Sequence, residues 1–246
     1  MNDIFKIKEF DKKNRKKKHI IFICDHASKN IPLDYKNLGL SPKYINSHIS
    51  WDIGARELTI GLTKILKQSC FLSNFSRLII DPNRPLDSLE LIVEQSDNIK
   101  IFGNLNLSIQ EKKERIKKIY NPYHNSLEQF IKRKQRDYNH VALVAIHTFS
   151  KRYKGTTRGL KVGLLWNKNI NMFISIQNNF IKKNITFGRN YPYSGFFYNY
   201  TLDRHSRNGE LNNIALEIRN DLLCNQKRIK KYIKLLSEPL SVFVND

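Results

Sequence analysis

The sequence predicts an α/β fold of three layers, with helices on both faces of a mixed, largely parallel central sheet. Three observations carry that prediction. Short unbroken apolar runs, His19–Cys24 and Val141–Ile146 above all, have the length and β-branched content of strands buried on both faces. Segments with the apolar spacing of amphipathic helices fall between those runs, as in βαβ units. Several runs also end abruptly in polar residues able to do chemistry, and the carboxyl ends of strands are where open α/β sheets bind ligands.

Taken in order, residues 1–18 read as a basic mobile or edge segment containing the block Lys12-Lys13-Asn14-Arg15-Lys16-Lys17-Lys18, and residues 19–246 as a single domain. The first strand ends in Asp25, His26 and Ser28. Ile31-Pro32 and Ser41-Pro42 mark a loop over Asn30–Asn46. Ala55, Leu58, Leu62, Ile65 and Leu66 then recur at helical spacing. Asp52 stands just before them, either as an N-cap or as a carboxylate aimed into a cleft. Cys70–Leu72 and Ser76–Ile80 read as two strand-like runs. The second ends in Asp81-Pro82-Asn83-Arg84-Pro85, where two prolines fix the backbone around an arginine fork suited to a carboxylate. Asp87–Asn106 reads as a surface loop.

Ser108 opens a helix that Pro122 should break in two, with Asn121 capping the second piece. His124 falls on its apolar side and reads as a hydrogen-bonded core residue. Val141–Ile146 runs directly into His147-Thr148-Phe149. A strand over Gly159–Trp166 precedes a helix through Phe173, Ile176, Phe180 and Ile181. The turn-rich Asn190–Gly195 offers Tyr193 and Ser194 as pocket walls. In the last strand, Asn213–Arg219, a period of two sets Glu217 and Arg219 on one face and Ile214, Leu216 and Ile218 on the other. A carboxylate there is costly unless it pairs with Arg219 or does chemistry. A closing helix follows from Asp221.

Composition bounds the rest. A chain of 246 residues, 40% hydrophobic, suits one such domain. No apolar run is long enough to span a bilayer, and the charged N-terminus lacks the core of a signal peptide, so a cytoplasmic protein is expected. Cys24, Cys70 and Cys224 are scattered, which excludes a Cys-x-x-Cys zinc site or a disulfide framework. The net charge of +21 admits a basic nucleic-acid-binding protein as an alternative. The lysines are spread over many helices, outside any recognised reading module, which favours lysine-rich composition as the explanation.

The predicted fold gathers His26, Asp52, Asn83, Arg84, His147 and Glu217 along one sheet edge. Two histidines and a carboxylate suit a divalent metal, zinc first, with an open position for water. A further carboxylate can move the proton from that water to a leaving nitrogen, and arginine with asparagine can hold a substrate carboxylate. Phosphate-binding glycine loops, a Gly-x-Ser-x-Gly elbow and a His-Glu-x-x-His helix are all absent.

Several segments then carry a family resemblance: Cys24–Ser28, Trp51–Ala55, Phe75–Pro85, Pro122–His124, Ala145–Phe149, Pro192–Gly195, Tyr200–His205 and Leu216–Leu222. In order and number the chain resembles the N-formylglutamate amidohydrolase family across nearly its whole length. The resemblance implies a fold similar to zinc carboxypeptidases and aspartoacylases, of the phosphorylase/hydrolase-like type, and hydrolysis of N-formyl-L-glutamate to formate and glutamate in histidine breakdown. It implies His26 and His147 as metal ligands, Asn83 and Arg84 as the grip on the substrate carboxylate, and Glu217 as general base. Tyr193, Ser194, Arg204 and Arg219, which lie in the matching segments, complete the expected substrate contacts. The carboxypeptidase pattern has an acidic ligand three residues after its first histidine, where this chain has Lys29. The third ligand is then expected at Asp52, with Asp25 the alternative. A small N-acyl amino acid is the expected partner, with no membrane; a family member with the fold but no turnover is a further alternative.

Overall fold

The apolar runs become neighbours in one sheet. In the computed structural model, which describes residues 4–10, 18–153 and 155–245, seven strands form it: β1 Phe5–Glu9, β2 Lys18–Cys24, β3 Ser69–Ser73, β4 His140–Phe149, β5 Val162–Leu165, β6 Gly188–Arg189 and β7 Asn213–Arg219. Their spatial order is β1-β3-β2-β4-β7-β5-β6. The four consecutive strands β3, β2, β4 and β7 are parallel. At the margins, β1 is antiparallel to β3, β5 is antiparallel to β7, and β6 is parallel to β5. This is the mixed, largely parallel sheet that the sequence predicts. Residues 11–17, with most of the lysine block, lie outside the described residues.

Alternation along the strands divides two cores. Ile20, Phe22 and Cys24 of β2 and Ile214, Leu216 and Ile218 of β7 face helices α1 Ala55–Ile65, α3 Asn171–Lys182 and α4 Gln226–Asn245. Ile21 and Ile23 of β2 and Leu143 and Ala145 of β4 face Tyr123, Leu127, Phe130 and Ile131 of α2 Asn121–Asp137. Each large side chain so buried stabilises the fold by about 1.5–3 kcal/mol. No helix of the described residues is long and apolar enough to cross a membrane.

Two local expectations need correction, and one open choice is decided. Ser76–Ile80 is a buried turn rather than a strand. Its backbone groups find partners in neighbouring segments: Ser76 N–H donates to the Asn30 carbonyl at 2.8 Å, and the Leu78 and Ile79 carbonyls accept from Asn104 Nδ2 and Arg115 Nη1, each at 2.8 Å, so no sheet pairing is needed. Pro122 does not split the helix. The segment runs from Ile109 through a wide π turn at Ile116–Tyr120 into α2, and the wide turn lies where proline withdraws a donor. Asn121 is helical there, with φ −62°, so it is not a cap. The opening of this segment is as expected: Ser108 and Glu111 form a reciprocal capping box. Lastly, Asp52 does not cap α1. Gly54 does so at φ 84°, a left-handed conformation that favours glycine, and its missing Cβ also leaves room for Leu223. Asp52 is thereby free to face inward.

Candidate metal and catalytic site

The site assembles from the carboxyl ends of parallel strands. Asp25 and His26 follow the last residue of β2, His147 lies near the end of β4, and Glu217 lies near the end of β7. Glu217 is the register partner of His147. The loop after β3 supplies Arg77, Asp81, Asn83 and Arg84. Asp52 is fixed by its own backbone, whose N–H donates to the His26 carbonyl at 3.0 Å. All of the acids and both imidazoles are buried: Asp25, His26, Asp52, Asp81, His147 and Glu217.

Asp52 is the centre of the arrangement. Its Oδ2 lies 3.0 Å from His147 Nδ1 and 3.5 Å from His26 Nδ1. The opposite nitrogen of each ring faces a second carboxylate: His26 Nε2 donates to Asp81 Oδ1 at 2.8 Å, and His147 Nε2 lies 3.4 Å from Asp25 Oδ2. Those carboxylates are themselves held. Tyr123 Oη and Thr201 Oγ1 donate to Asp25 Oδ1 at 2.7 and 3.1 Å, and Arg77 Nη2 donates to Asp81 Oδ2 at 2.6 Å.

His26, Asp52 and His147 each offer one ligand atom, all within 4.8 Å of one another. Donors bound at 2.0–2.1 Å around a tetrahedral ion stand roughly 3.3 Å apart, and the Asp52 distances bracket that spacing. A backing carboxylate on each histidine is the usual outer support of a metal-ligating imidazole. The three residues therefore fit a divalent ion. Lys29, where the carboxypeptidase pattern has its acid, is exposed, bonded to Asn46 and set over the Trp51 ring.

The electrostatics favour positive charge at this point. Burial works against protonating His147, yet the Asp25 carboxylate beside it, together with the hydrogen bond to Asp52 and that group's charge, raises its pKa well above the usual imidazole value. Burial likewise opposes ionisation of Asp52, but the charge of His26 and the His147 hydrogen bond hold its carboxyl far below the usual range. Glu217 differs. Burial pushes its pKa up to about 7, only partly opposed by His147, and its Oε2 is buried with no hydrogen-bond partner among the described residues.

A cavity of about 740 Å³ opens over this group. Asn83, Arg84 and Tyr193 line it, as do Arg77 and Tyr198. The Asn83 amide is engaged, its Nδ2 with the Tyr198 carbonyl at 3.0 Å and its Oδ1 with Thr201 N–H at 3.0 Å, so it fixes a loop. Arg84 stacks on Tyr198, and its Nε donates to Glu90 at 2.8 Å. Ser194, Arg204 and Arg219 are not among the residues that line the cavity. Ser194 caps the short helix Gly195–Tyr198, Arg204 is exposed with Nη1 on Tyr200 Oη, and Arg219 pairs with Asp221 at 2.7 Å. The expected alternative of a Glu217–Arg219 ion pair is not formed. His124 is a core residue, bonded to His205 at 2.9 Å and to the Pro82 carbonyl at 3.0 Å.

The sequence assigns no role to Arg77 or Asp81, which lie within Phe75–Pro85, nor to Tyr123 and Thr201 as supports of Asp25. The polar end of the 76–80 run was the available signal for Asp81. Nothing local pairs Tyr123 with a residue 98 positions away.

Comparison with known proteins shows the family and the fold. A family model described as N-formylglutamate amidohydrolase matches residues 18–224. A crystal structure of a gene product from Agrobacterium tumefaciens is similar at 27% identity and a TM-score of 0.88, covering 98% of this chain and 96% of that one. An N-formylglutamate amidohydrolase from Ralstonia eutropha shares the fold at 17% identity and a TM-score of 0.73, covering 98% of each chain. No curated protein sequence matches. Because that family model spans most of the chain, the chain belongs to the N-formylglutamate amidohydrolase family and is a hydrolase acting on amide bonds.

Proposed function

We propose that the protein hydrolyses an N-acyl amino acid, N-formyl-L-glutamate first among them, to formate and glutamate. In this reading one zinc ion is held by His26, Asp52 and His147. Glu217 carries the proposal. It is a buried carboxylate without an ion-pair partner among the described residues, it is the register neighbour of His147, and its pKa is raised to about 7, where a general base is most effective.

When bound, zinc supplies Lewis-acid polarisation of the amide carbonyl. Glu217 takes a proton from the attacking water on Oε2 and passes it to the leaving nitrogen, which departs as the amine of glutamate. Arg77 Nη1 lies 3.4 Å from His26 Nδ1 and sets a fixed positive charge where negative charge grows on the reacting oxygen. Arg84 receives a substrate carboxylate through Nη2, which has no partner among the described residues, while Asn83 holds the adjoining loop in place.

Formate release by the purified protein is the test, measured with N-formyl-L-glutamate and a panel of other N-formyl and N-acetyl amino acids. The reading expects zinc-dependent release that a chelator abolishes and added zinc restores. Turnover indifferent to chelator, or confined to substrates without an N-acyl amide, contradicts it.

A further inference from the structure

Two buried histidines, His124 and His205, take no part in the chemistry proposed above, yet they reach the loop that carries it. Tyr120 and His124 stand four residues apart on one helical segment, and each takes a carbonyl of that loop. Tyr120 Oη donates to the Arg84 carbonyl at 2.7 Å, and His124 Nε2 donates to the Pro82 carbonyl at 3.0 Å. Thr201 Oγ1, which holds Asp25, lies 3.4 Å from the same Pro82 oxygen. Pro82 directly follows Asp81, the partner of His26, and lies two residues before Arg84 in the cavity wall.

The hydrogen bonds of the two histidines run in one direction. A carbonyl only accepts, so His124 Nε2 carries a hydrogen. Burial pushes the His124 pKa down to about 3, so at neutral pH the ring is uncharged and its Nδ1 accepts. His205 Nε2, 2.9 Å away, is then the donor. The other nitrogen of that ring lies 3.2 Å from Glu128 Oε2, and Lys132 holds the second oxygen of Glu128 at 3.1 Å. Tyr120, Tyr123 and Tyr200 pack around the His124 ring, and His205 stacks beside it at 5.2 Å. Turning the ring over would break both of its hydrogen bonds in a site closed to water, where an unpaired donor or acceptor costs most.

We propose that His124, held in one orientation by His205, is a positioning residue. Its Nε2–H fixes the Pro82 carbonyl, and so sets Asp81 against His26 and Arg84 in the wall of the cavity. The effect on turnover rests on the function proposed above; the placing of the loop does not.

The test compares wild type, H124Q and H124N. A glutamine amide nitrogen reaches the place of Nε2, whereas that of asparagine reaches only the place of Nδ1, so H124Q keeps the donor to Pro82 and H124N loses it. H124N should speed amide hydrogen exchange at Asn83 and Arg84 by about tenfold and raise KM for N-formyl-L-glutamate by about tenfold at saturating zinc, with a smaller change in kcat. H124Q should return both readouts to within about threefold of wild type. A residue that only packs the core would show equal losses in the two variants. Equal losses, or unchanged loop exchange in H124N, overturn the assignment. Nitrogen-15 spectra of wild type test it without any variant: His124 should be neutral with its proton on Nε2, and a proton on Nδ1 alone overturns it. Wild type that releases no formate, with loop exchange lost in H124N and kept in H124Q, leaves this assignment standing and removes the hydrolase reading.

Discussion

Glu217 and the imidazoles it faces have chemistry set almost wholly by burial and by what stands opposite. Gln at position 217 keeps the shape and removes the base. E217Q is expected to lower kcat by about 10²–10⁴-fold while metal content stays unchanged, measured by steady-state formate release alongside elemental analysis. Asp81 acts through His26, whose Nε2 it accepts from, and D81N should weaken metal affinity by about 10–100-fold in a competitive chelator titration. His26, His147 and Glu217 are legible in the sequence because each is a polar residue at the end of, or within, a run that otherwise reads as buried strand. Asp81 and Arg77 are not legible to the same degree. They sit in a folded turn whose hydrogen-bond partners come from distant segments, and neither periodicity nor capping rules report on such pairings.

At the scale of elements, β7 lies beside β5 and carries the proposed base, and Gly163 of β5 pairs with Glu217. A Cβ at Gly163 would lie 1.7 Å from the Tyr191 carbonyl oxygen, so only glycine lets the 190–195 loop approach the strand. G163A is expected to cost about 1–3 kcal/mol of stability by urea unfolding and to lower activity by displacing Tyr193 from the cavity wall. The main strands and the helices on both faces follow from apolar period and length, and the sheet was readable for that reason. Ser76–Ile80 departs from the expected strand because an apolar run of strand length can equally be a buried turn once loops satisfy its backbone. Asp52 precedes a helical pattern, so the sequence leaves both the cap and a cleft-facing carboxylate open. The glycine two residues later takes that position, and the carboxylate turns to the imidazoles instead.

Across the whole molecule, two features couple stability to conditions. His124 is buried against His205 and the Pro82 carbonyl, and burial, then the His205 charge, lowers its pKa to about 3. Between that value and the ordinary imidazole pKa of about 6.5 the unfolded chain binds a proton that the folded one refuses, so stability falls as pH drops through this window. H124N should show a shallower loss of the urea midpoint from pH 7 to pH 4 than wild type, whatever its stability at neutral pH. The second feature is the metal group, which draws on three distant parts of the chain, so ion binding favours the folded state and should raise Tm. The central claim is that His26, Asp52 and His147 converge on a single ion. It is tested most directly by elemental analysis of the purified protein after equilibration with zinc and removal of excess. One zinc per chain in wild type, falling close to zero in both D52A and H147A with their folds intact, is the predicted result; a metal-free wild type, or variants that retain the full equivalent, would contradict it.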